Sequence, residues 1–173
     1  MNTKRISTFV LSLILITAAC KKSEDSNTAP ITDTDRVFVS QASSYDSAEI
    51  RIANMALSKT TDSVIISFAQ YMLDEHKRTR NDLKIMGTIV GFTVKDTLTA
   101  GQMSSIANLD TMSGRKFDSV YIHTRAEART DVVNFFQSEI KNGSQVNVKA
   151  YATSTLERVK AQYDRADSIT TTF

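Results

Sequence analysis

The 173-residue chain holds one cysteine, one proline, five glycines and no tryptophan. A lone cysteine excludes an internal disulfide framework and any cysteine-rich zinc or iron–sulfur site. So little proline and glycine argues against a turn-rich sandwich and against a disordered chain biased toward those residues. Catalytic signatures are missing too: the chain has no phosphate-cradling glycine loop, no G-x-S-x-G and no H-E-x-x-H. Neither sign of charge dominates, with 21 Lys and Arg against 19 Asp and Glu. What remains is an apolar content of 41%, enough at this length for the core of one ordinary domain.

Near the start, Lys4 and Arg5 precede an apolar run from Ile6 to Ala19. A basic head, a short apolar stretch and small residues before a cleavage point describe a secretory signal. The run falls short of the roughly 20 residues needed to cross a bilayer core. Ala18 and Ala19 lead directly into Cys20, so the segment resembles the lipobox of bacterial lipoproteins, with Thr17 where leucine is usual. The resemblance implies cleavage before Cys20, a diacylglyceryl thioether on its sulfur and a fatty acyl group, such as palmitate, on the new N-terminus. Two or three chains on one residue hold firmly where a single chain binds only marginally.

Residues 1–19 are therefore expected as a cleaved leader, and 20–35 as the lipidated cysteine and a flexible, polar tether. The folded domain is expected over 36–170. Lys21 after the cysteine resembles lipoproteins sorted to the outer membrane, which places the domain in the cell envelope, facing periplasm or exterior. Losing Lys4 and Arg5 takes the formal charge from +2 to zero. Such a domain has no overall charge to draw it to nucleic acid or to an anionic membrane, so the expected contact with the membrane is through lipid on Cys20.

Four long segments follow, each with an apolar stripe at helical spacing. The first runs Phe38, Ala42, Tyr45, Glu49, Ile52, Ala56, and the second Val64, Phe68, Met72, His76, Leu83, Met86, Val90. The third runs from about Phe117 through Ile122, Ala126, Arg129, Val133, Phe136 and Ile140, stopping at Asn142-Gly143. The fourth runs Val148, Ala152, Leu156, Val159, Tyr163, Ala166, with Gln162 beside the seam. Short joints at 59–61 and 142–144 predict two antiparallel hairpins. In the long middle connection, Thr99 and Gln102 have capping-box spacing, which predicts a short helix across the end of the bundle. The expected fold is all-α, an up-down four-helix bundle with a short extra helix between helices two and three.

The stretch from Phe38 to Leu83, then GRKFDSVYI and VVNFF, then the final segment to about Ala166, resemble the family called domain of unknown function 4142. That resemblance covers nearly the whole domain and implies a ferritin-like bundle. It also implies inward polar positions on all four helices. Glu49 and His76 match the first two, whereas Arg129 and Gln162 stand where relatives usually carry histidine.

A di-iron site in such a bundle needs Glu-x-x-His on two helices. The residue three before His76 is Leu73, and three before His123 is Val120, so the motif is absent. Glu49 and His76 supply two ligands where a mononuclear site needs three or more. An isolated charge in a core costs several kcal/mol, so Glu49 and Arg129 are expected to pair in a buried polar layer with His76 and Gln162. His123 and the interleaved charges Lys77, Arg78, Arg80 and Lys84 are expected on solvated faces. The resulting expectation is a lipid-anchored envelope protein, structural or binding, not an enzyme, with no metal or cofactor. The alternative is a ferritin-like metal-binding or redox protein using Glu49 and His76.

Overall fold

The computed structural model describes residues 30–173, which form α1 (Asp33–Lys59), α2 (Ser63–Ile89), α3 (Ala100–Asp110), α4 (Gly114–Glu127), α5 (Arg129–Asn142) and α6 (Val146–Thr170). No strand occurs among them, and no helix among them is long and apolar enough to cross a membrane. The leader, Cys20 and tether positions 20–29 lie outside the described residues.

The first helix begins earlier than the sequence pattern predicts. Thr32 and Asp35 form a reciprocal capping box, so residues 33–35 belong to α1 rather than to a tether. The buried Asp35 carboxylate also accepts from the backbone amides of Ser144 at 3.0 Å and Gln145 at 3.2 Å. One short side chain thereby caps α1 and pins it to the turn between α5 and α6. At the far end, Asp62 caps α2 by accepting from the amides of Val64 and Ile65.

Chain direction follows from which residues share a cluster. Ile52 and Ala56, late in α1, pack with Ile65 and Phe68, early in α2, and with Phe117 and Tyr121, early in α4. Phe38 and Val39, early in α1, pack with Leu83 and Met86, late in α2, with Phe136 of α5 and with Val148 of α6. Hence α1 and α2 are antiparallel, as are α4–α5 and α6, but α2 and α4–α5 run the same way. Simple up-down alternation is not what the chain adopts, because the connection after α2 carries it back along the bundle.

That crossover also corrects the expected place of the short helix. Ser43 donates to the Lys95 carbonyl, Ser44 donates to Gln102, and Lys59 pairs with Asp110. The connection and α3 thus climb lengthwise beside α1 instead of lying across an end. The capping box of Thr99 and Gln102 starts α3 as its spacing predicts.

The third rod is not one helix. It starts at Gly114 and breaks at Ala128, between α4 and α5. Gly114 has φ +57°, a left-handed conformation that suits glycine. Gly143 ends α5 for another reason. Its φ is −63°, but a Cβ there would strike the Glu139 side chain, so the turn needs absence of bulk rather than backbone freedom.

Candidate functional site

Between the two apolar clusters lies a belt of polar side chains at the middle of the bundle. Along α1 the clusters occupy residues 38–42 and 52–56, and along α2 residues 83–86 and 65–73. The intervening turns carry Ser43, Ser44, Asp46, Ser47 and Glu49 from α1, with His76 and Thr79 from α2, all buried. Helical spacing selects these residues for the interior, and the polar atoms then need partners, since each one left unmade costs about 1–3 kcal/mol.

Glu49 finds its cation in Arg125. One guanidinium nitrogen, Nη1, donates to both carboxylate oxygens, at 3.0 and 2.9 Å. The two side chains are 8% and 14% exposed, so the pair is shielded from water and salt. Burial works against the Arg125 charge, but the Glu49 carboxylate outweighs it and raises the guanidinium above its ordinary value. The phenols of Tyr45, Tyr121 and Tyr163, packed around the pair, are all raised by burial and then by the Glu49 charge.

Arg129, the expected partner, lies elsewhere. Its side chain is 40% exposed, and the guanidinium reaches Asp164 at 2.7 Å and Asp167 at 3.1 Å on α6. The physical reason is the interruption at Ala128. An unbroken stripe through Ile122 and Ala126 would point position 129 inward, but α5 begins afresh there and turns it toward the flank of α6. The inward cation sits four residues earlier. A signal for it exists in the sequence: Asp118, Tyr121, Ile122 and Arg125 follow one another at helical spacing, and the first three are buried.

His76 is buried to 1% exposure and engages Asp46 rather than Glu49. Its Nδ1 lies 2.9 Å from Asp46 Oδ1, which also accepts from the Thr79 hydroxyl at 2.8 Å. A carboxylate oxygen only accepts, so Nδ1 is the donor in this contact, and Nε2 is directed into the core. Nε2 has no hydrogen-bond partner among the described residues. Burial raises the Asp46 carboxyl against the lowering pull of His76 and Thr79. The Tyr45 ring stands edge-on to His76 at 5.4 Å, and its hydroxyl meets that of Tyr163 at 3.1 Å. The belt therefore joins α1, α2, α4 and α6.

Gln162 is buried as expected, yet it bonds to none of the other three; both of its amide atoms lack a partner among the described residues. His123 is partly exposed and bonds the Ser119 carbonyl within its own helix. On α2, Arg80 and Lys84 engage Asp96 of the crossover, in keeping with a solvated face. Among the described residues, no three His, Cys, Asp or Glu side chains gather as a metal would require. A crevice of about 320 Å³ between α1, α3 and α4, lined by Ile52, Leu109 and Thr124, reaches the outer edge of Arg125.

A family model described as "Domain of unknown function (DUF4142)" matches residues 20–169. Among curated proteins no match is found. Among solved structures, the chain is similar to the "Crystal structure of DUF305 fragment from Deinococcus radiodurans", at 10% identity and a TM-score of 0.74. The likeness covers 84% of this chain and 100% of that fragment, and at such identity it speaks for the helical fold alone.

Proposed function

The chain belongs to the family described as Domain of unknown function (DUF4142), and from that premise we propose that it is a lipid-anchored, non-enzymatic helical bundle of the cell envelope, structural or binding in role. Its rods α1, α2, α4–α5 and α6 make a ferritin-like arrangement in which α3 lies within the single crossover. The observation that carries the non-enzymatic reading is the Glu49–Arg125 pair. The Glu49 carboxylate, which the metal-binding alternative would use, already receives two bonds from a cation of the same chain. The anchoring part rests on the basic head, apolar run and Ala-Ala-Cys of the leader.

Fractionation of Gram-negative cells expressing the full chain tests the anchor. The wild type is expected in the outer-membrane fraction, with an acylated N-terminal peptide beginning at Cys20 by mass spectrometry. Cys20→Ser is expected in the soluble fraction. An unmodified cysteine peptide in the wild type would overturn this reading.

One observation favours a second reading. A carboxylate holding histidine Nδ1 while Nε2 points inward is how ligating histidines are oriented in metalloproteins. Asp46 and His76 have that form. Elemental analysis of protein purified without chelator decides between the two: near-stoichiometric iron, copper or zinc, lost in His76→Ala, would favour metal binding.

A further inference from the structure

We propose that the crevice between α1, α3 and α4 binds a small neutral molecule bearing an amide carbonyl and hydroxyl groups, of the class of N-acetyl sugars. This rests on the binding half of the reading above, to which it adds a place and a ligand class, and it is independent of acylation at Cys20. Arg125 lines the crevice. Its Nη1 serves both oxygens of Glu49, whereas Nε is buried without a hydrogen-bond partner among the described residues. A guanidinium holds its five N–H donors in a rigid fork, so pairing through one terminal nitrogen leaves the side edge, Nε with Nη2, for another acceptor. Charge decides what that acceptor is. A second carboxylate would be repelled by Glu49, already on the guanidinium, and by Glu127 on the crevice wall. An ammonium would meet Arg125 itself. A neutral carbonyl oxygen accepts from the cation without either cost.

The rest of the lining suits a body with one apolar side and one hydroxylated side. Ile52 and Leu109 are buried and, with Val120, supply apolar surface. Ser105 and Asn108 of α3 and Glu127 of α4 are exposed and supply a hydroxyl, an amide and a carboxylate. A volume of about 320 Å³ lies at the small end of the range for ligand sites. An acetamido group offers a methyl to the apolar surface and a carbonyl to Arg125, and sugar hydroxyls both donate to Glu127 and accept from Asn108. Entry is cheap. Within α3 only Leu109 is buried, and the helix is held near its ends by the contacts of Ser44 with Gln102 and of Lys59 with Asp110. An element with so little buried surface yields at low free-energy cost.

The test titrates the full chain, in a detergent without sugar groups, with the methyl glycosides of N-acetylglucosamine and of glucose, followed by calorimetry and amide NMR. Saturable binding of the N-acetyl sugar is expected, with shifts confined to residues such as Ser105, Asn108 and Thr124 and slower hydrogen exchange in α3. The glucoside lacks the carbonyl and should bind at least about tenfold more weakly, the usual worth of a hydrogen bond to a charged group. Ser105→Trp fills the mouth and should abolish binding while melting like the wild type; should the indole disturb folding, Asn108→Leu on the same exposed face takes its place. Glu49→Leu with Arg125→Met removes the donor together with its partner and should bring the two sugars to equal affinity. No saturable binding to the wild type, equal affinity of the wild type for both sugars, or binding that survives the blocked mouth would overturn the proposal. Each of those results leaves the anchor reading standing, since only the fractionation of Cys20→Ser bears on it.

Discussion

Two arginines four residues apart have opposite fates. Arg125 is held in the core against Glu49, and Arg129 lies on the surface between Asp164 and Asp167. Removing one member of a buried pair strands the other charge, so Arg125→Ala should lower unfolding stability by about 3–5 kcal/mol in urea titration. Arg129→Ala should lower it by at most about 1 kcal/mol, since exposed pairs are weak. Replacing both members, Glu49→Leu with Arg125→Met, should restore much of the loss, because the costly state is the unpaired charge. That the interior holds polar groups on several helices is readable from the stripes alone. Which arginine turns inward is not, because the break at Ala128 leaves no proline or glycine to mark it.

At the scale of elements, local chemistry states its own ends clearly and its packing poorly. The caps at Asp62 and Thr99, and the stop at Asn142, follow from residue types known to satisfy helix termini. The course of the crossover is set instead by contacts across the fold, Ser43 with Lys95 and Ser44 with Gln102, which no local pattern encodes. Two glycines separate these influences. Gly143→Ala puts a methyl group into the Glu139 side chain and should cost about 1–3 kcal/mol, although its backbone conformation suits alanine. Gly101→Ala, inside the exposed α3 with open space around it, should instead raise stability by about 0.4–1 kcal/mol. Thermal melts of the two variants check both signs.

Across the whole molecule, the contact that closes the bundle near the start of α1 makes stability depend on pH. Burial, and then the neighbouring Asp35 carboxylate, push Glu139 up to about 7 from 4.5. Asp35 is lowered to about 2: burial opposes its charge, but hydrogen bonds from Thr32, Gln145 and Ser144 outweigh it. A raised carboxyl binds its proton more tightly when folded, so its contribution is complete below pH 4.5 and is lost as pH rises through 7. A lowered one contributes above pH 3.8 and loses that as pH falls toward 2. These two groups together predict a melting temperature highest near pH 4 that declines toward neutrality. Glu139→Gln should flatten the decline above pH 4.5 while leaving the acid limb in place. A wild-type melting temperature that rises between pH 5 and 7 would oppose this assignment.

What fills the middle of the bundle is measured most directly by a pair of double-mutant cycles. Urea unfolding of Glu49→Ala, Arg125→Ala, Arg129→Ala and the two double variants yields the coupling of Glu49 to each arginine. A coupling of about 1–3 kcal/mol is expected between Glu49 and Arg125, and one within about 0.5 kcal/mol of zero between Glu49 and Arg129. The reverse pattern, or no coupling of Glu49 to Arg125, would contradict an interior closed by the protein's own ion pair.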